Sequence, residues 1–119
     1  MPKYREPVIL FLALGDITRM AVIRELCRGP RSVSELARPF EMALPSFIQH
    51  LSVLEDAKWI KTEKQGRVRT CTLNPDALAL AGGWLDEQRS LWERRLDQLD
   101  DYLLKMKKTE KKEKKNAKD

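Results

Sequence analysis

The sequence predicts a small, mainly α-helical domain with one β-hairpin, and three observations support this. Two short amphipathic helical patterns lie between Ser32 and Ala57 and are separated by a tight turn. A short segment with Gln65 and Gly66 at its centre follows them, as expected for a hairpin. A long heptad pattern occupies the residues after Pro75. Four helices, a two-stranded hairpin and a fifth helix in this order predict a winged helix-turn-helix.

Turn-forming residues delimit the first two helices. Residues 7–14 form a short apolar helical segment that ends at Gly15. Asp16 is placed to cap the second helix, which Gly29 and Pro30 end. The predicted core face of this second helix consists of Met20, Ile23, Leu26 and Cys27.

The next two helices form the predicted helix-turn-helix. Ser32 and Glu35 match the capping-box pattern, in which each side chain accepts the other residue's backbone N–H. Pro39 ends this helix, and a second one covers residues 44–57. Its apolar residues recur at helical spacing, which predicts one buried stripe. The stripe consists of Leu44, Phe47, Ile48, Leu51 and Leu54.

The opposite face of the 44–57 helix is the predicted DNA-reading surface. It carries short or flat hydrogen-bonding side chains, of the kind that contact base edges and phosphates. We expect His50 to donate a hydrogen bond to DNA, and an exposed or locally bonded side chain is the alternative. The candidate DNA-binding residues of the helix-turn-helix are Ser32, Pro45, Ser46, Gln49 and His50.

Residues 60–64 and 67–73 are the predicted strands of the wing. Period-two alternation points Cys71 and Leu73 to the core and places Arg67 and Arg69 on the same parity, nearer the tip. With Lys64, these arginines are expected to lie over phosphates or the minor groove. The alternative is a solvated hairpin whose charge serves solubility.

One long helix is predicted from Pro75 to about Met106. Its seam repeats every seven residues through Leu78, Leu85, Trp92, Leu99 and Met106, with Leu96 and Leu103 at the intervening spacing. Such a helix would be roughly 45 Å long, too long for a small domain to cover. We therefore expect a twin subunit to cover the seam, and packing on the chain's own domain is the alternative.

Charge is polarised along the chain. The net charge is +5, but residues 17–74 carry ten basic and six acidic side chains, whereas residues 75–104 carry three and seven. The final 15 residues contain eight Lys. We expect a winged helix-turn-helix domain with a dimerisation helix over 1–106 and a Lys-rich disordered tail over 107–119. The tail adds sequence-independent attraction to DNA or only solubility.

Other functional classes find little support. No apolar run reaches the roughly 18 residues of a membrane span, and the start of the chain lacks signal-peptide features, so a cytoplasmic location without membrane contact is expected. Cys27 and Cys71 are expected to be buried and reduced, with a redox-sensing pair as the alternative. His50, the single histidine, has no neighbouring nucleophile and acid. We expect neither enzymatic activity nor a cofactor.

The combined segments resemble the ArsR/SmtB family of small dimeric winged-helix transcription factors. The resemblance runs from about Val8 to Leu104 and is carried by residues 13–19, 29–37, 50–57, 66–69 and 73–75. It implies a homodimeric repressor, joined through its first and last helices, that binds a palindromic operator in double-stranded DNA. The implied interface residues are Val8, Phe11, Leu85, Trp92, Leu96, Leu99 and Leu103.

The resemblance has departures. Ala43 and Ile48 stand where relatives have Ser, so we expect an uncapped helix at Ala43 and packing at Ile48, while Gln49 replaces a common Lys or Arg. Metal-sensing relatives resemble one another in Cys pairs before the recognition helix or Asp/His pairs on the last helix. Residues 34–40 contain no Cys and the last helix no His, which predicts a non-metal branch. The effector, the operator and the direction of control stay open, and the alternatives are a protein-interaction module or a thiol-based repressor.

Overall fold

The computed structural model describes residues 2–117 and the side chains of residues 6–114. It confirms the mainly helical winged helix-turn-helix and the predicted order, and adds one short strand. The elements are α1 (Pro2–Leu14), α2 (Ile17–Leu26), β1 (Arg31–Ser32), α3 (Val33–Ala37), α4 (Leu44–Asp56), β2 (Ile60–Gln65), β3 (Val68–Leu73) and α5 (Pro75–Ala117).

Strand β1 is the element that the sequence does not indicate. It pairs antiparallel with β3, opposite Cys71 and Thr70, so the sheet has the order β1-β3-β2. Two residues are too short to show a period-two pattern, and Ser32 also begins the next helix as its N-cap. Because β3 is the central strand, the base of the hairpin is joined directly to the start of the helix-turn-helix.

The core is built from α1 to α4, the sheet and the first residues of α5. Its largest fully buried side chains include Trp59, Phe47 and Leu54. The indole N–H of Trp59 donates to the carbonyl of Leu10 at 2.8 Å, which links the start of β2 to α1. Phe47 also stacks on Phe40, with ring centroids 5.5 Å apart. This core therefore positions α4 against α1, α2 and the sheet, with Phe40 of the preceding turn stacked on it.

Helix α4 ends in a Schellman motif without glycine. Lys58 has φ = 67° and donates to the carbonyl of Glu55, while Trp59 N–H donates to the carbonyl of Leu54 at 2.9 Å. Leu54 and Trp59 are both buried, which supplies the apolar contact typical of this motif. The left-handed conformation at Lys58 turns the chain from α4 directly into the wing.

The predicted core face of α2 is partly wrong. Ile23 and Leu26 are buried as expected, and Val22 is buried with them, but Met20 and Cys27 are exposed. Helix α2 packs on α4 and β3 through the face of its buried residues, and Cys27 lies beyond it at the C-cap, where the chain turns away. Burial depends on which neighbours a helix meets, and apolar spacing alone does not specify them.

The buried stripe of α4 is narrower than predicted. Phe47, Leu51 and Leu54 are buried, whereas Leu44 and Ile48 remain 53% and 36% exposed. At about 100° per residue, Ile48 lies at the edge of the stripe and Leu44 in the first turn. Because only 36% of its surface is exposed, Ile48 packs over most of its side chain, as predicted, but it is not part of the fully buried stripe.

Helix α5 is longer than predicted. The chain divides into two compact units between Gly82 and Gly83; α5 buries Ala77 and Ala81 in the first unit, and its residues 84–114 are exposed. The helix continues to Ala117 instead of ending near Met106, so residues 107–117 are helical rather than disordered. Lys and Glu are good helix formers, and no Gly or Pro interrupts the stretch.

Candidate nucleic-acid interface

The outward face of α4 presents polar side chains to solvent. Ser46 and Gln49 are exposed on the side of the helix opposite Phe47 and Leu51, and Pro45 is exposed in its first turn. This is the arrangement that the predicted DNA-reading face requires, with apolar residues anchoring the helix and hydrogen-bonding groups directed outward.

The start of α4 offers few backbone donors. Ala43 provides no side-chain cap, as predicted. Ser46 and Phe47 N–H both donate to the carbonyl of Ala43, at 3.0 and 3.1 Å, and Pro45 has no N–H. Recognition through this end of the helix therefore relies on side chains.

The predicted capping box at the start of α3 is confirmed. Ser32 Oγ accepts the Glu35 N–H at 3.1 Å, and Glu35 Oε1 accepts the Ser32 N–H at 3.2 Å. The hydrogen bonds from the backbone and side chain of Ser32 lower the pKa of Glu35. Ser32 therefore caps α3 with its side-chain oxygen, and its proposed contact with DNA stays a prediction.

His50 is bonded within the protein through one ring nitrogen. Its Nδ1 lies 3.1 Å from Arg19 Nη1 and 3.6 Å from Asp16 Oδ2, and the side chain is 25% exposed. Helix α2 thus supplies a local partner at Nδ1, which is the alternative stated above, while the expected hydrogen bond from His50 to DNA stays a prediction. At about 100° per residue, His50 lies closer to the buried stripe than Gln49 does, which explains its partial burial.

Arg19 contacts the predicted site residue His50, and the sequence does not indicate this contact. Its backbone N–H donates to the cap residue Asp16 at 3.1 Å, and its Nε donates to the carbonyl of Ala13. The backbone hydrogen bond from Arg19 is the largest cause of the lowered pKa of Asp16, and the positive charge of Arg19 adds to it. The contact with His50 spans 31 positions, so no local pattern reveals it.

The wing tip concentrates positive charge. Lys64 lies directly opposite Arg69 across β2 and β3, and Arg67 follows Gly66 in the two-residue turn. All three cations are exposed, and none has an ion-pair partner among the described side chains. Gly66 has φ = 64°, as a glycine-first hairpin turn requires. Like charges directly opposite each other destabilise a hairpin unless an anion lies between or above them.

The base of the wing is hydrogen-bonded to α4. Thr62 Oγ1 donates to Glu55 Oε1 of α4 at 3.0 Å. The side chain of Cys71, on β3, is fully buried in the core. The wing and the outward face of α4 are therefore presented by one packed unit, and their relative position is set by the core.

The two cysteines differ in environment. Cys71 is buried as predicted, whereas Cys27 is exposed. Burial raises the pKa of the Cys71 thiol, and the charge of Glu55 raises it further, so this thiol stays protonated and weakly reactive. Within residues 2–117, no three His, Cys, Asp or Glu residues are grouped as a metal site would need. No described helix has the length and apolar content of a membrane span.

Comparisons with known proteins agree with this geometry. A family model for a helix-turn-helix domain matches residues 14–62. The HTH-type transcriptional regulator Rv2034 of Mycobacterium tuberculosis is 38% identical over 96 residues, covering 81% of this chain and 87% of that protein. The crystal structure of the ArsR family transcriptional regulator RHA00566 is 53% identical, with a TM-score of 0.70, and the match covers 75% of this chain and 92% of that one.

A third match concerns the fold alone. The homodimeric winged helix-turn-helix DNA-binding domain of Mb0332 from Mycobacterium bovis, solved by NMR, is 19% identical, with a TM-score of 0.59 over 74% of this chain and 83% of that one. The extent and identity of the matches to Rv2034 and RHA00566 show common descent over most of the chain. The chain therefore belongs to the ArsR family of winged helix-turn-helix, DNA-binding transcriptional regulators.

Proposed function

We propose that this regulator is a cytoplasmic homodimeric repressor that blocks a promoter by occupying a palindromic operator. Two α4 helices would enter successive major grooves, about 34 Å apart, while the two wings lie on flanking DNA. The observation that carries the proposal is the wing tip, where Lys64, Arg67 and Arg69 are exposed without ion-pair partners among the described side chains. A phosphate backbone removes the repulsion between facing Lys64 and Arg69.

Sequence recognition is assigned to α4. Gln49 offers both a donor and an acceptor, the pattern that pairs with adenine in the major groove, and Ser46 pairs with several bases or with a phosphate. Pro45 provides apolar contact, and His50 adds a donor from the edge of the same face. These residues lie on one packed helix, so their spacing is rigid enough to discriminate between base pairs.

Dimerisation is assigned to the apolar residues that the chain leaves exposed. On α1, Val8 is 54% exposed, while Phe11 is half-buried. The seam of α5 is exposed along its length, with Trp92 at 60%. A chain of this size rarely leaves such a row of apolar side chains in water, and the homodimer described for Mb0332 is a precedent in this fold. The predicted interface residues of α5 are Leu85, Trp92, Leu96, Leu99 and Leu103.

The Lys-rich end of α5 has a supporting role in this proposal. Residues 107–114 contain five Lys and two Glu, all exposed. They add attraction to any duplex, and they carry no sequence preference of their own.

Selection from a random pool of duplexes tests the proposal. The parent is expected to select an inverted repeat, and Gln49→Ala is expected to change the bases selected at matching positions of both halves. Gln98→Ala, the same substitution on the exposed surface of α5, is the matched control and should select the parent's sequence. A parent that selects no sequence would contradict the proposed function. An unchanged selection by Gln49→Ala would contradict the role of α4.

A further inference from the structure

We propose that Arg19 is a positioning residue for DNA recognition, which fixes His50 in the tautomer that carries its proton on Nε2. The contact between the two side chains, one on α2 and one on α4, supports this proposal. The proposal rests on the proposed function, because it assigns the Nε2–H group of His50 to an acceptor on DNA.

Arg19 is fixed before any DNA arrives. Its Nε donates to the carbonyl of Ala13, at the end of α1, and its backbone N–H donates to the carboxylate of Asp16. The carbonyl of Ala13 thus orients the guanidinium, and the cap of α2 fixes the backbone that carries it. Because the guanidinium group is planar, anchoring Nε also sets the direction of the Nη1 donor.

The tautomer follows from the chemistry of this contact. Arg19 Nη1 lies 3.1 Å from His50 Nδ1, and a guanidinium has donors only. Nδ1 must therefore accept the hydrogen bond, which leaves the proton of the neutral ring on Nε2. Asp16 Oδ2 is 3.6 Å from Nδ1, too far to accept a hydrogen bond from it, so the carboxylate does not favour the opposite tautomer.

The protonated Nε2 is available to an outside acceptor. Among the described residues, no hydrogen bond to Nε2 is found. Every buried side-chain nitrogen or oxygen among them has a hydrogen-bond partner, so an atom without one cannot be buried. Nε2 is therefore accessible to solvent, on the residue that follows Gln49 in α4. A fixed donor there suits guanine O6, a purine N7, thymine O4 or a phosphate oxygen, and it disfavours a facing donor such as the cytosine amino group.

Nitrogen NMR of the ring tests the tautomer directly. His50 is the only histidine, so its two ring nitrogens are identified without assignment of other residues. In the neutral ring of the parent, we expect Nδ1 to show the shift of an unprotonated nitrogen and Nε2 that of a protonated one. Arg19→Met should produce a mixture of tautomers, whereas Arg19→Lys, which keeps a donor-only group, should preserve the parent's signals.

The matched control for the NMR experiment is Arg24→Met, an exposed arginine on the same helix, which should leave the signals unchanged. A parent ring with its proton on Nδ1 would overturn the proposal. So would parent-like signals in Arg19→Met.

DNA binding provides the second readout, with Arg19 left intact. Gln places an amide N–H near the position of Nε2, and Asn places its amide near Nδ1. His50→Gln should therefore bind the selected operator within a few-fold of the parent, while His50→Asn should lose roughly tenfold, the loss expected for one strong hydrogen bond. Arg19→Met should lose a comparable factor, and the double variant Arg19→Met with His50→Asn should lose no more than His50→Asn alone.

The outcomes separate the two proposals. A parent that binds no duplex contradicts the proposed function itself. If the parent binds normally, equal losses in His50→Gln and His50→Asn contradict the assignment of the Nε2–H donor to DNA. Additive losses in the double variant contradict the positioning role of Arg19.

Discussion

Removing the arginines of the wing tip should weaken DNA binding in a way that depends steeply on salt. Arg67→Ala with Arg69→Ala removes two exposed cations per wing, hence four from a homodimer with two wings. Each phosphate contact contributes about 0.9 to the slope of log K against log salt concentration, so the slope should become shallower by about 3.6. When the salt concentration rises from about 50 to 200 mM, the ratio of the parent's association constant to the variant's should fall roughly a hundredfold.

Fluorescence anisotropy with a labelled operator, titrated across a salt series, measures both slopes. Lys61→Ala is the control, because Lys61 is exposed on the same hairpin but points to the opposite face from Lys64. It should leave the slope within about one unit of the parent's. If the double variant keeps the parent's slope, the wing makes no phosphate contacts and the assigned role of its arginines is wrong.

Three further predictions concern stability, each measured by chemical denaturation without DNA. Lys58→Gly should stabilise the domain by about 0.5–1 kcal/mol, because glycine adopts φ = 67° without strain; a loss of stability would contradict the Schellman motif. Trp59→Phe should cost about 2–3 kcal/mol, since the buried Leu10 carbonyl loses its donor, and an unchanged midpoint would refute this. Asp16→Ala should cost about 1 kcal/mol at neutral pH through loss of the cap. The pKa of Asp16 in the folded protein lies below its ordinary value of 3.8. The difference in unfolding free energy between the parent and Asp16→Ala should therefore narrow as pH falls below that value. If this difference stays constant in acid, the carboxylate is not its source.

Several features follow from local sequence because their physics is local. The capping box at Ser32 and Glu35 needs residues three apart in one helix turn, and the structure has both hydrogen bonds. The hairpin turn at Gly66 likewise needs only one residue that tolerates positive φ. Helical periodicity identified the stripe through Phe47 and Leu51, and it also placed polar groups opposite that stripe. The helices, the wing and the outward face of α4 could therefore be predicted without any knowledge of the packing.

The extent of burial could not be predicted in the same way. Met20 and Cys27 share the apolar character of Ile23 and Leu26, yet they are exposed because nothing packs over them in this unit. The end of α5 differs from the expectation for another reason: low apolar content predicts disorder, but a run of Lys and Glu without Gly or Pro also favours a helix.

Apart from β1 and the end of α5, sequence alone thus determined which segments become helix or strand. It also determined where the positive charge of the binding unit lies, since propensity, capping and alternation act between near neighbours. Tertiary structure decided the contacts between distant positions: the pairing of Arg31 with Cys71 and the bond between Arg19 and His50. Such contacts form only when packing of the core brings their elements together, so no pattern along the chain specifies them.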